Sequence, residues 1–245
     1  SLTTNGILLQ KYAYQLYKAG VKGLNVSLDS LDQEKYKIIT RGGSINRVIQ
    51  GIDEIIRLGF DPIKINVVLT NIIEQKDIID FIHFSMKKSV IVRFIEMMPV
   101  IGLKDIECNK NITTPDKPII KLDNIFSLMG GFGNYIREEK TIGYGPAVYY
   151  KSSEGKGKIG LILNEKSSCS NCNRIRLTSR GGIKLCLFSS MEWDLRESIR
   201  KGCSDEEIRN NIMEYIKVKP VNREYEQVKN NGVSKISHFM SKIGG

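Results

Sequence analysis

Cys169, Cys172 and Cys186 form a C-x2-C-x13-C pattern in the stretch SSCSNCNRIRLTSRGGIKLC, which also carries Arg174, Arg176, Arg180 and Lys184. Two thiolates separated by two residues can converge across a tight turn on one metal ion or one cluster. A closed structural zinc site takes four ligands, most recognisably from two such pairs; here the second half is the single Cys186. Cys108 or Cys203 could complete a zinc site, but neither is close in sequence. The spacing fits zinc and an iron–sulfur cluster about equally well, and a redox pair less well.

A cluster held by three thiolates keeps one metal corner open for another ligand. Arg174 and Arg176 follow Cys172 directly and lie two apart, so on an extended segment they point to the same side. Guanidinium forks on that side suit phosphate. The plain alternative is a pair of solvated surface arginines. Lys64, in KINVV, and Arg93, in VRFIE, raise a similar choice: a cation facing an anion inside the fold, or a side chain reaching to a rim. The face of Arg93 is not fixed by its neighbours. His83 and His238 are isolated and read as structural, and Cys108 and Cys203 as incidental.

The elements that must position these groups alternate over the first hundred residues. ILLQKYAYQLYKAG predicts a helix stopped by Gly20. LNVSLD predicts a strand, and Ile45, Val48, Ile49, Ile52, Ile55 and Ile56 a helix ended by Gly59. The strand IKINVVLT, the helix EQKDIIDFIHFSMKKS and the strand VIVRFIEMM follow. This rhythm predicts βα units around a parallel sheet. Leu24, Val26 and Leu28 face away from Asn25, Ser27 and Asp29, and Ile63, Ile65, Val67 and Leu69 oppose Lys64 and Asn66. Parallel strands buried on both faces are usually apolar throughout. A polar face therefore implies either a barrel with a polar ligand in its lumen or an edge position in an open sheet. After Pro99 the rhythm changes: a loop-like stretch, a helix at LDNIFSLMG, turns at GGFGNY and GYGPA, strands at AVYYK and KIGLILN, the cysteine cluster, and a capping box opening a helix at Ser204. A boundary is expected near residue 100.

The 245 residues carry 37 Lys and Arg against 27 Asp and Glu, a net charge of +10 that attracts anions such as nucleotides or nucleic acid. Five cysteines, an odd number, argue against a disulfide framework. No leader pattern is evident and no apolar run reaches the ~18 residues of a membrane span, so the expectation is a soluble cytoplasmic protein.

LTTNG, NVSLD, KINVV, RFIEMMP, GPA, CSNCNRIRLT, KLCLF and the closing GG occur in order along essentially the whole chain. In these motifs the sequence resembles the GTP 3′,8-cyclase family of radical S-adenosylmethionine (SAM) enzymes, which opens molybdenum-cofactor biosynthesis. The cysteine–arginine segment is the most specific part. The resemblance implies an α/β fold: an incomplete radical SAM (βα) barrel over residues 1–100 and a C-terminal α+β iron–sulfur region over 101–245. It implies two 4Fe-4S clusters, one that reduces SAM to a 5′-deoxyadenosyl radical and one near the C-terminus whose open iron takes the guanine of GTP. The product, 3′,8-cyclo-7,8-dihydro-GTP, would pass to a cyclic pyranopterin monophosphate synthase. Residue by residue, it implies that Cys169, Cys172 and Cys186 hold the substrate cluster and that Thr3, Lys64, Arg174, Ile175 and Arg176 contact GTP. Ser27 and Met98 would contact SAM, and Gly244 and Gly245 match the family's double-glycine tail. A monomer or homodimer is expected, with no nucleic acid or membrane partner.

One departure is large. The family's C-x3-C-x2-C motif for the SAM cluster does not occur in this sequence, nor do the strands expected before TTNG. The expectation is an N-terminally truncated segment, inactive alone, of a parent that is the enzyme. Two rival readings use the same residues: a basic zinc-binding module that recognises nucleic acid, and a peptide-modifying radical SAM relative, which would need more cysteines.

Overall fold

The computed structural model describes residues 1–97, 120–139, 145–163, 172–187, 189 and 191–219. They fall within two compact units, Ser1–Met97 with Asn109–Asn164, and Met98–Cys108 with Glu165–Gly245.

The first unit is built on a sheet of strands β1 (Leu2–Thr4), β2 (Leu24–Ser27), β3 (Ile63–Leu69), β4 (Ile91–Glu96), β5 (Tyr135–Arg137), β6 (Val148–Ser152) and β7 (Lys158–Ile162), in the order β1-β2-β3-β4-β7-β6-β5. Pairing is parallel from β1 through β4 and on to β7, then antiparallel through β6 and β5. This is a mixed α/β architecture with a parallel-strand sheet. The helices are α1 (Leu9–Lys18), α2 (Gln33–Thr40), α3 (Ile45–Arg57), α4 (Gln75–Lys87) and α5 (Leu122–Gly130).

The alternation in the strands decides which face meets the helices. Leu24, Val26, Ile63, Ile65, Val67, Leu69, Val92, Phe94, Ile159 and Leu161 are buried in one core with Ala13, Val48, Ile52, Ile55, Ile78, Phe81 and Ile82 from the helices. Gly6, in the turn between β1 and α1, has φ +80°, and a methyl there would come within 2.7 Å of Val48 Cγ1 and 3.0 Å of Val26 Cγ1. Only glycine fits both demands. Lys35 ties α2 to α4 through Glu74 at 2.9 Å and Asp77 at 2.7 Å, where Glu74 and Asp77 also form the capping box of α4. α2 was not expected from the sequence pattern; Asp32 caps it, accepting from Lys35 N at 2.8 Å.

β2 and β3 lie between β1 and β4. Their polar face therefore does not reflect an edge position. β7, from the stretch after residue 100, pairs with β4 in the same sheet, because the parallel register Ile91↔Lys158 to Ile95↔Ile162 buries Ile159 and Leu161 beside Val92 and Phe94. GGFGNY is not wholly turn: Tyr135 begins β5.

The second unit contains a small antiparallel sheet of β8 (Arg176–Leu177), β9 (Gly182–Lys184) and β10 (Trp193–Asp194), with helices α6 (Leu195–Arg200) and α7 (Asp205–Lys217). The capping box at Ser204 is formed, Ser204 N donating to Glu207 Oε2 at 2.7 Å. Among the described residues no helix is long and apolar enough to cross a membrane.

Candidate functional site

The polar face of the first unit's sheet carries one continuous hydrogen-bonded row. Asn25 Nδ2 donates to Thr3 Oγ1 at 3.4 Å. Arg93 reaches from β4 across β3, donating through Nη2 to Asn25 Oδ1 at 2.9 Å and through Nε to Asn66 Oδ1 at 2.8 Å. Tyr149 on β6 also hydrogen-bonds the guanidinium. Lys64 lies opposite Asn25 in register on the same face. Burial lowers the Lys64 pKa, and the Arg93 charge lowers it further. Burial likewise lowers that of Arg93, with Tyr149 opposing. Two partly desolvated cations thus share a face whose described partners for Arg93 are neutral oxygens. Such a face favours an anion.

The close seating of Arg93 depends on Gly160 of β7, its partner in register. A methyl at Gly160 would come within 2.9 Å of Arg93 Cγ and 3.0 Å of Tyr149 Cε1. A glycine inside a strand often marks such an approach, and this was the one signal that could have singled it out. Ser27 ends β2 and is exposed. Two residues on, Asp29 Oδ1 accepts from Val68 N at 2.8 Å; burial raises its pKa and that amide works against the rise.

In the second unit, Cys172, Arg174 and Arg176 are half-buried while Asn173, Ile175 and Leu177 are exposed, so the expected alternation holds and both arginines lie on the side of Cys172. Ile175 turns its side chain the other way, 47% exposed. Arg176 pairs with Lys184 on β9, two residues before Cys186. Burial lowers the Arg176 pKa, as does Arg174, while the Cys186 and Cys172 sulfurs raise it. One guanidinium is thus within electrostatic reach of both thiols. For Cys172, burial favours the thiol, but the Arg174 amide and guanidinium and the Lys219 ammonium outweigh it and hold the pKa below its ordinary value. Lys219, past the end of α7, donates to Cys172 O at 2.6 Å and Arg174 O at 2.8 Å, with Cys172 Sγ at 3.6 Å. Nothing in the sequence marked it; it lies 47 residues from Cys172.

The three described cysteines, Cys172, Cys186 and Cys203, are uncrosslinked and half-buried. Soft sulfur donors held among cations suit a thiophilic metal or an iron–sulfur cluster. Among the described residues no group of three or more potential ligands converges; Cys169 lies outside them, as do Met98, Cys108, His238, Gly244 and Gly245. His83 is exposed and packs edge-on against Phe132, with ring centroids 4.7 Å apart.

The family model described as the Radical SAM superfamily matches residues 1–85, and that described as Molybdenum Cofactor Synthesis C matches residues 90–225. The GTP 3′,8-cyclase of Alkaliphilus oremlandii is 38% identical over all of this chain and 72% of its own length. The chain belongs to the GTP 3′,8-cyclase family. The GTP 3′,8-cyclase of Peptoclostridium acidaminophilum is 38% identical over the whole chain and 70% of its length, and that of Thermodesulfovibrio yellowstonii 40% identical over 89% of the chain and 66% of its length. The family's two domain models account for both halves of the sequence. They do not favour the rival reading of a zinc-binding nucleic-acid module.

Proposed function

We propose that this chain serves its family's reaction, conversion of GTP to 3′,8-cyclo-7,8-dihydro-GTP at the start of molybdenum-cofactor biosynthesis. The observation that carries the proposal is geometric: Cys172, Arg174 and Arg176 share the half-buried side of one extended segment, and Arg176 pairs in register with Lys184, two residues before Cys186. Cations that lie beside the sulfurs without coordinating metal leave them free to bind it, and can themselves meet an anionic substrate.

In this reading Cys169, Cys172 and Cys186 hold a 4Fe-4S cluster, and Arg174 and Arg176 hold phosphate, with Ile175 contributing its backbone. Such a cluster, when bound, supplies an iron corner open to a purine nitrogen. Lys219 fixes the backbone from Cys172 to Arg174 by taking up both carbonyls. On the first unit's sheet, Thr3 and Lys64 contact GTP, and Arg93 joins them because it shares their face. Ser27, and Met98 outside the described residues, are assigned to SAM. The C-x3-C-x2-C motif for the SAM cluster is not in this sequence, so none of these residues is assigned to that second cluster.

The finer architecture belongs to the same proposal. The parallel strands β1–β4 form part of an incomplete radical SAM barrel, with the family's functional division near residue 100 even though β7 continues the sheet. The product is handed to a cyclic pyranopterin monophosphate synthase in the cytoplasm, the chain acts as a monomer or homodimer, and Gly244 and Gly245 support activity. Metal analysis tests the site. After anaerobic reconstitution the chain should carry iron and sulfide in near-equal amounts, lost in Cys172→Ser and Cys186→Ser. Stoichiometric zinc without sulfide would overturn the assignment.

A further inference from the structure

We propose that Asn25 and Asn66 are positioning residues that orient the Arg93 guanidinium through neutral oxygens, so that its full positive charge is offered to the phosphates of the bound nucleotide. The inference rests on the anion-binding reading of this sheet face and identifies what sets its strength.

A buried arginine is most simply held by a carboxylate, because a charged acceptor offsets the cost of leaving water. The pair then has no net charge, and an incoming phosphate meets a neutralised cation. Arg93 is held differently. Nε donates to Asn66 Oδ1 at 2.8 Å and Nη2 to Asn25 Oδ1 at 2.9 Å, and its other described partner is a phenol. The direction of the fork is fixed while its charge is left uncompensated by these partners.

The amides are themselves fixed. A guanidinium has only donors, so each amide must present its oxygen to it. The Asn25 nitrogen is then turned to Thr3 Oγ1, 3.4 Å away. Asn66 stands opposite Arg93 in the β3–β4 register, and Asn25 opposite Thr3 and Lys64. All of these residues sit on regular strands, where a positioned side chain is held more closely than on a loop. Lys64 adds a second cation to the face, and no carboxylate is among the residues of this row.

Aspartate is nearly isosteric with asparagine and accepts the same hydrogen bonds. A role confined to holding the fold is therefore met as well, or better, by Asp. A role in preserving charge is not.

The test measures dissociation constants for GTP and for guanosine with wild type, Asn25→Asp, Asn66→Asp, the double Asp variant and Arg93→Ala, together with melting temperatures. Each single Asp variant should melt at or above wild type and bind GTP about tenfold or more weakly, because a carboxylate in contact with Arg93 opposes the phosphates at close range. Guanosine affinity should be unchanged, and the double variant should be as weak for GTP as Arg93→Ala. Asp variants that bind GTP like wild type, with Arg93→Ala weakened, would overturn the neutral-cradle proposal and leave the anion-binding reading intact. Arg93→Ala binding GTP like wild type would overturn both. An equal loss of GTP and guanosine affinity in the Asp variants would mark a general disturbance of the sheet and overturn the proposal.

Discussion

Gly160→Ala tests whether the seating of Arg93 matters to the nucleotide. The added methyl would sit 2.9 Å from Arg93 Cγ and 3.0 and 3.2 Å from Cε1 and Cδ1 of Tyr149. Ordinary carbon–carbon contact lies at about 3.5–4.0 Å, so the Arg93 stem or the Tyr149 ring must retreat by roughly 0.5–1 Å. Both hydrogen-bond the same row, and either shift misaligns the guanidinium. Overpacking of this kind costs about 1–3 kcal/mol. The lower chain entropy of alanine in a strand returns roughly 0.5–1 kcal/mol. The expected net loss of stability is therefore modest, about 0.5–2 kcal/mol. The binding loss is larger in relative terms: one charge-assisted hydrogen bond to phosphate is worth about 1.5–3 kcal/mol, or roughly 10- to 150-fold in GTP affinity. Equilibrium dialysis with labelled GTP measures it, with a thermal melt on the same samples. Gly130→Ala is the control, since a methyl there meets nothing within 4 Å. A Gly160→Ala protein that binds GTP as wild type does would show that the seating of Arg93 does not matter to the nucleotide.

Arg174→Ala and Arg176→Ala should each weaken GTP binding by about tenfold or more while leaving iron and sulfide content intact; unchanged affinity in both would remove the phosphate role. Lys219→Met leaves the Cys172 and Arg174 carbonyls without their donor, an expected cost of about 1–3 kcal/mol, read as a lower melting temperature and faster loss of iron to a chelator; equal chelation rates would contradict the anchoring role. Asp29 has a raised folded-state pKa because burial outweighs the Val68 amide, and Tyr36 beside it is shifted upward by its own burial and then by Asp29. Its contribution to stability is therefore greatest below its ordinary value of 3.8 and declines as pH rises through the raised value. The stability difference between wild type and Asp29→Asn, followed by denaturant melts across that window, should move against wild type as pH rises; a flat difference would show that Asp29 is not shifted.

Much of the first unit was legible because strand alternation and helix spacing both report on one core. Ile63, Ile65, Val67 and Leu69 are buried and Lys64 and Asn66 half-buried, as the period of two requires. β4 was less legible. Ile91 joins a second apolar cluster with Ala147, Tyr149 and Ile162 on the polar side of the sheet, so apolar residues occur on both faces and the alternation that would have placed Arg93 is lost. The pairing of β7 with β4 is a long-range choice to which the local pattern of KIGLI is silent. In the second unit the alternation through Cys172, Arg174 and Arg176 could be read directly, whereas Lys219 acts on backbone carbonyls, which have no sequence signature. Gly160 was visible only as a glycine inside a strand, and its meaning depends on two side chains from other strands.

Under the proposed function, sulfurs of the second unit hold a cluster with a metal corner available to guanine. Electron–nuclear double resonance on the reduced, reconstituted protein with GTP labelled with nitrogen-15 in the base tests it most directly. The expected result is a nitrogen-15 coupling to the cluster that disappears when unlabelled GTP is exchanged in. A cluster signal with no such coupling at saturating GTP would contradict it.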